Sequence, residues 1–264
     1  MQPAGMKFLL PVFILALLAC AAPEAKIDSR RVAAVYAAPE AHYFEAVRSD
    51  DIATVMRLVE EGLIEAGRAD PYGWTGLMYA VQHGHEGMVE YLIIKGADPN
   101  ARDKDGLTPL MIAAKERRQE IVGTLLWAGS DAAAQDRYGF TALMWAIYDK
   151  SHACGELLLA RKKTFNIKNK FGQTALHLAL DYGMEDIALE LVRHGAAPNI
   201  ADLEGNTPLH LAARNGLERA TRLLIKNGAF PYLKNIEGKT ALDIAREANQ
   251  QSTLNYLEKI RPKK

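Results

Sequence analysis

Histidine and cysteine are the residue types in this 264-residue chain that could build a catalytic or metal site; it has seven of the first and two of the second. His210 sits in GNTPLHLAARNG, residues 205–216, where an imidazole could act as a general base or a ligand. The chain itself tests that idea by repeating the stretch. Steps of 33 residues back from His210 reach His177, Met144, Met111 and Met78, and one step forward reaches Asp243. Methionine carries no proton, so the slot is architectural, and His177 and His210 are expected to make local turn hydrogen bonds; a base would also need a nucleophile or second base in reach. His83 and His85 flank Gly84 in a turn, without the third and fourth ligands that zinc requires. No phosphate-binding G-x-x-x-x-G-K-[ST] loop, G-x-S-x-G elbow or H-E-x-x-H helix is present. Acidic side chains are interspersed with Lys and Arg, as on a solvated face. The sequence therefore offers no catalytic residues, no cofactor site and no metal site, and an enzyme is not expected.

The two cysteines read differently from each other. Cys154 replaces Met88, Ile121 and Ile187 of other copies, an apolar helix position, and is expected to be a small buried core thiol. Cys20 closes an N-terminal stretch in which Lys7 precedes the apolar run Phe8–Leu18 and then Ala19-Cys20-Ala21-Ala22. Basic, apolar and small residues in that order are the pattern of a secretory signal. The run is shorter than the ~20 residues of a spanning helix, and Pro11 interrupts it. Leu17-Leu18-Ala19-Cys20 resembles a bacterial lipoprotein box, with Cys20 as the lipidated residue; the alternatives are ordinary signal cleavage nearby and an uncleaved anchor or cytosolic protein, and translation from Met6 is an alternative start. The resemblance implies a periplasmic, outer-membrane lipoprotein, because Ala21 rather than aspartate follows the cysteine.

The elements that would position these residues repeat with one period. Thr75, Thr108, Thr141, Thr174, Thr207 and Thr240 are 33 residues apart, as are the glycines two residues before them and the alanines five residues after. Thr207-Pro208-Leu209-His210-Leu211-Ala212 reads T-P-L-H-x-A in full, and Thr108–Ala113 departs only at Met111. Period and motif resemble the ankyrin repeat family, whose unit is a turn and two antiparallel helices. The resemblance implies an all-α ankyrin repeat solenoid of about seven repeats, each burying its apolar face against neighbours. Threonine is expected to cap the first helix of each unit, with Pro109 and Pro208 in the first turn. Gly96, Gly129, Gly195 and Gly228 are expected to end the second helices in left-handed conformation.

This gives a signal peptide over 1–20, a tether over 21–41, and repeats at about 42–69, 70–102, 103–135, 136–168, 169–201, 202–234 and 235–262. The first repeat lacks the motif and reads as a polar cap, as does the last. Lys162 occupies a helix-ending glycine slot within the basic run Arg161–Lys170, either a solvated loop or a contact for an acidic partner or lipid headgroups. Net charge is zero, which provides no global field for nucleic acid.

The ankyrin resemblance implies protein recognition through hairpin tips and the inner face of the first helices. Of the 30 positions this assigns in six repeats, seven are aromatic: Tyr72, Trp74, Tyr138, Phe140, Tyr148, Phe171 and Tyr182. The chain's 8% aromatic content would place about two or three there. With Leu107 they form the expected partner-binding set, aromatic anchors being what dominates interfaces. None falls in the last two repeats, and Tyr79 and Trp145, aligned with Ile112, Leu178 and Leu211, are read as core. The expected function is a non-enzymatic, monomeric protein–protein interaction scaffold of the cell envelope, membrane-held through Cys20. The alternative is a secreted effector that binds host proteins.

Overall fold

Two units divide the chain, Met1–His42 and Tyr43–Lys264. The structure, a computed structural model, describes residues 38–161 and 164–260. Cys20, the leader and most of the expected tether lie outside the described residues, as do Lys162 and Lys163.

Fourteen helices in seven pairs follow one another among the described residues: α1 (Pro39–Arg48) with α2 (Ile52–Glu60), α3 (Gly76–His83) with α4 (Glu86–Ile94), α5 (Pro109–Lys115) with α6 (Gln119–Trp127), α7 (Ala142–Tyr148) with α8 (His152–Leu159), α9 (Ala175–Asp181) with α10 (Glu185–Arg193), α11 (Pro208–Arg214) with α12 (Glu218–Lys226), and α13 (Ala241–Glu247) with α14 (Gln251–Lys259). Helix α1 begins at Pro39, so the tether read as far as residue 41 ends earlier. Proline suits a first helical turn, and Glu40 beside it meets the positive helix end.

The threonines cap as their spacing demands. The hydroxyl oxygens of Thr75, Thr108 and Thr141 accept from the backbone N–H of Met78, Met111 and Met144 at 3.2, 3.3 and 3.4 Å. In the two histidine repeats the ring adds a link. His177 Nδ1 accepts from the Thr174 N–H at 3.2 Å and its hydroxyl at 2.8 Å, and His177 Nε2–H donates to Asn206 O at 3.2 Å. His210 repeats this on Thr207 and on Lys239 O. Each imidazole thus stitches one repeat to the next, in the neutral tautomer those partners assign.

First helices α3 to α13 pack in a row, and second helices α4 to α14 in another. Between the rows Leu77, Leu110, Leu143, Leu176 and Leu209 are at most 1% exposed, each burial contributing about 1.5–3 kcal/mol. Cys154 is a free, fully buried thiol in this layer. Gly96, Gly129, Gly195 and Gly228 follow the second helices at φ near +90°. A second left-handed slot, between the helices of a pair, holds Gly84, Gly183 and Gly216 but also Arg117, Lys150 and Asn249 at φ +57°, +54° and +56°. L-residues there carry about 1–2 kcal/mol of strain each.

Candidate functional site

Six hairpin tips project from the rows, and one polar residue organises each. Asp70 Oδ1 accepts from the N–H groups of Tyr72 and Trp74 at 2.8 and 2.9 Å. Asp103, Asp136, Asn169, Asp202 and Asn235 hold the same two positions of their own tips. The tips are then bonded in series: the N–H groups of Lys104, Arg137, Lys170, Leu203 and Ile236 donate to the carbonyls of Tyr72, Asp105, Tyr138, Phe171 and Glu204 at 2.7–3.2 Å. Glycine is required at the crest. A Cβ on Gly139 (φ +80°) would fall 2.9 Å from Asn169 Cα, so side chain and neighbouring tip cannot both fit.

The spare carboxylate oxygens of the tip aspartates take up aromatic donors. Tyr79 OH donates to Asp70 Oδ2 at 2.8 Å, Trp74 Nε1–H to Asp103 Oδ2 at 3.0 Å, and Trp145 Nε1–H to Asp136 Oδ2 at 3.0 Å. Partial burial works to raise the Asp70 pKa, but the bonds from Tyr79, Trp74 and Tyr72 outweigh it and hold the carboxyl below its ordinary value. Burial and the bond to Asp70 push Tyr79 up. With their polar atoms satisfied, these rings present apolar faces.

Tyr79 and Trp145 were read as core; the structure corrects this. Both are half-buried, whereas Ile112, Leu178 and Leu211 in the same slot are 2–3% exposed. A ring with a hydroxyl or indole N–H reaches the tip aspartate nine residues before it, which draws it out of the layer between the helices. The available signal was the type of residue, a polar-ended aromatic nine positions after an aspartate.

These two rings assemble the face. In the first cluster Tyr79 meets Trp74 at 5.1 Å and Phe44 at 5.7 Å between ring centroids, with the Arg48 guanidinium 4.2 Å from the Tyr79 ring. In the second, Trp145 meets Phe140 at 5.2 Å and Tyr148 at 5.7 Å, and Tyr148 meets Tyr182 of the next repeat at 5.4 Å. Lys115 Nζ lies 5.4 Å from the Trp145 centroid. Of the expected partner-binding residues, Phe140, Tyr148 and Tyr182 are thus brought together in the second cluster, while Trp74 belongs to the first. Tyr72, Tyr138 and Phe171 stand on separate tips, 71%, 46% and 54% exposed, and Leu107 is half-buried. Apolar exposure also continues into the last two repeats, which sequence reading left out: Leu203 and Ile236 crown their tips at 71% and 74% exposure.

His83 and His85 stack at 5.6 Å, and each bonds a backbone carbonyl, Tyr79 O and Arg48 O. No group of three or more His, Cys, Asp or Glu with metal-binding placement occurs among the described residues. No helix among them is long and apolar enough to cross a membrane.

Family models for ankyrin repeats match residues 43–136, 87–169, 110–202 and 191–245. A solved ankyrin repeat domain of Bcl-3, of the IκB family, superposes with a TM-score of 0.72 at 28% identity, covering 82% of this chain and 97% of that one. A structure of a predatory endopeptidase from Bdellovibrio bacteriovorus in complex with an immunity protein contains a chain 30% identical, TM-score 0.63, covered over 100% of its length by 74% of this one. The 2-5A-dependent ribonuclease of Mus musculus is 39% identical over 61 residues, which is 23% of this chain and 8% of that protein's length. Ankyrin repeats mediate protein–protein interaction. With their models matching from Tyr43 to Ala245 and the helix pairs recurring every 33 residues from α3 onward, this chain belongs to the ankyrin repeat family.

Proposed function

We propose that this protein is a scaffold of the cell envelope that binds a partner protein through its first-helix face and hairpin tips, without catalysis. The observation that carries the reading is the ring chain Phe140–Trp145–Tyr148–Tyr182, which runs from one repeat into the next. The Trp145 indole N–H is already bonded to Asp136, so what the cluster offers a partner is apolar ring surface. Rigid aromatic anchors of this kind concentrate binding energy. Export and lipidation at Cys20 place the scaffold on the periplasmic side of the outer membrane in this reading, as a monomer, with no nucleic acid partner.

Affinity capture from envelope extract with the tagged full chain tests the reading, using Trp74→Ala and Tyr148→Ala beside it and measuring unfolding on the same preparations. Each variant should weaken the captured complex by about 2 kcal/mol. Trp74→Ala also loses the indole bond to Asp103, a further ~1 kcal/mol of stability. Variants that unfold more easily yet bind with full affinity at low temperature would make the rings structural. Cys20→Ala should abolish palmitate labelling and release the protein from membranes; a wild-type chain neither labelled nor processed near Cys20 removes the lipoprotein assignment.

The chain in the endopeptidase–immunity protein structure, matched over its full length, favours a second reading of the partner as a peptidase. Purified endopeptidases tested against the chain in an inhibition assay separate it from a non-inhibitory scaffold.

A further inference from the structure

The row of hairpin tips carries a charge pattern that the ring clusters do not explain. Lys104, Arg137 and Lys170 occupy one slot in three consecutive repeats, and the next two repeats place Leu203 and Ile236 there. Their backbone N–H groups are fixed to the preceding tip, so the side chains start at equal steps along the row. All three are exposed. Lys104 lies 5.9 Å from the Tyr72 ring and Arg137 4.7 Å from the Tyr138 ring, while Phe171 adjoins Lys170 in the chain. No described carboxylate pairs with Lys104 or Lys170; Arg137 alone has one, Asp105 at 2.6 Å. The tip aspartates are engaged by their own N–H groups and by Tyr79, Trp74 and Trp145. Towards the C-terminus the pattern reverses: Arg214 is paired with Asp181, and Lys239 with Glu237 and Glu247.

Resting on the protein-binding reading above and deepening it, we propose that the tip ladder Lys104–Arg137–Lys170 docks an extended acidic segment of the partner polypeptide, its carboxylates on the three cations and its apolar side chains on Tyr72, Tyr138 and Phe171. The step length fits. Neighbouring helices pack about 8–10 Å apart and an extended strand rises about 3.3 Å per residue, so roughly three residues of peptide cross each repeat. A peptide can place charges selectively. A nucleic acid would bring phosphate at every step, against Asp105, Glu204 and Glu237 on the same row.

The probe is a fluorescent synthetic peptide of four Glu-Glu-Phe units, titrated against the full chain by anisotropy and compared with one of four Lys-Lys-Phe units. The acidic peptide should bind, more weakly as salt rises, and the basic one about tenfold or more weaker. The triple variant Lys104→Glu, Arg137→Glu, Lys170→Glu should lower affinity for the acidic peptide about tenfold or more, three exposed pairs being modest individually and reversed in sign together. The milder Lys104→Gln, Arg137→Gln, Lys170→Gln variant, with circular dichroism on both, guards against a folding defect and should lose affinity to a smaller degree. Equal binding of the two peptides, or full affinity in both folded variants, overturns the proposal. So does an oligothymidine that binds as tightly as the peptide, or a chain that self-associates until Glu204→Lys, Glu237→Lys disperses it. If Trp74→Ala and Tyr148→Ala weaken the captured protein while the ladder variants do not, the scaffold reading stands and the acidic segment is refuted.

Discussion

Removing the two repeat-linking imidazoles should erase a pH dependence of stability that the fold makes definite. His177 and His210 are 0% and 1% exposed. Burial lowers the pKa of both, against opposing contributions from Asp202 and from the backbone carbonyls that accept Nε2–H. Protonation at Nδ1 would also turn the acceptor of the Thr174 or Thr207 N–H into a donor facing it. In the unfolded chain histidine takes up its proton near pH 6.5. The unfolded state therefore binds more protons below that value, and stability falls as pH falls. Between about pH 7.5 and pH 5.5, a histidine kept neutral in the fold loses about 1.4 kcal/mol, so the pair loses up to about 3 kcal/mol. Above pH 7.5 the two imidazoles add no further change. Asp70 and Asp243, whose hydrogen bonds hold them below the ordinary carboxylate value, act only at lower pH. Urea unfolding by circular dichroism reads this directly, as a midpoint lowered by about 1 M for an m-value near 3 kcal/mol/M. The double variant His177→Met, His210→Met copies the residues at Met111 and Met144. It should lose about 1–2 kcal/mol per site at pH 7.5, where a Thr N–H and a carbonyl lose their partner, and the gap to wild type should close by pH 5.5. A wild-type midpoint that stays flat over this range, or a double variant that keeps the fall, refutes the reasoning.

The left-handed slot between paired helices supplies a test of opposite sign. Arg117→Gly and Lys150→Gly, at φ +57° and +54°, should each stabilise by about 0.5–1 kcal/mol, as relieved strain exceeds the added entropy of the unfolded chain; unchanged or lowered urea midpoints would count against it. Gly139→Ala and Gly195→Ala separate strain from contact. Both have positive φ, but only Gly139 faces backbone, Asn169 Cα, while Gly195 is open. Gly195→Ala should cost about 1 kcal/mol and Gly139→Ala distinctly more, about 2 kcal/mol or beyond, read as thermal midpoints. Trp145→Phe keeps the ring but leaves Asp136 Oδ2 without its donor, and should lower stability by about 1 kcal/mol with partner binding largely retained.

The sequence by itself determined the repeating unit, because everything that defines the unit is local. A threonine caps the helix that starts at the next residue, an alanine five positions on leaves room for the facing helix, and a glycine takes the left-handed bend at the tip crest and after the second helix. It also determined that the histidine slot is scaffold, since methionine fills the same slot in three copies. What the tertiary structure alone decided are relations between neighbouring units. Tyr79 and Trp145 align with buried aliphatics, yet stand half out of the core because Asp70 and Asp136 offer each a carboxylate oxygen. Trp74 became a link between repeats through Asp103. The ladder of Lys104, Arg137 and Lys170 gained its meaning only once backbone bonds joined one tip to the next. Trp127, at the end of a second helix, is 87% exposed although its residue type suggests burial. Periodicity reports what each repeat does for itself. Which side chains meet, which are covered and which stay free depends on the stacking of repeats, where a residue's partners lie about one period away in sequence and are chosen by geometry.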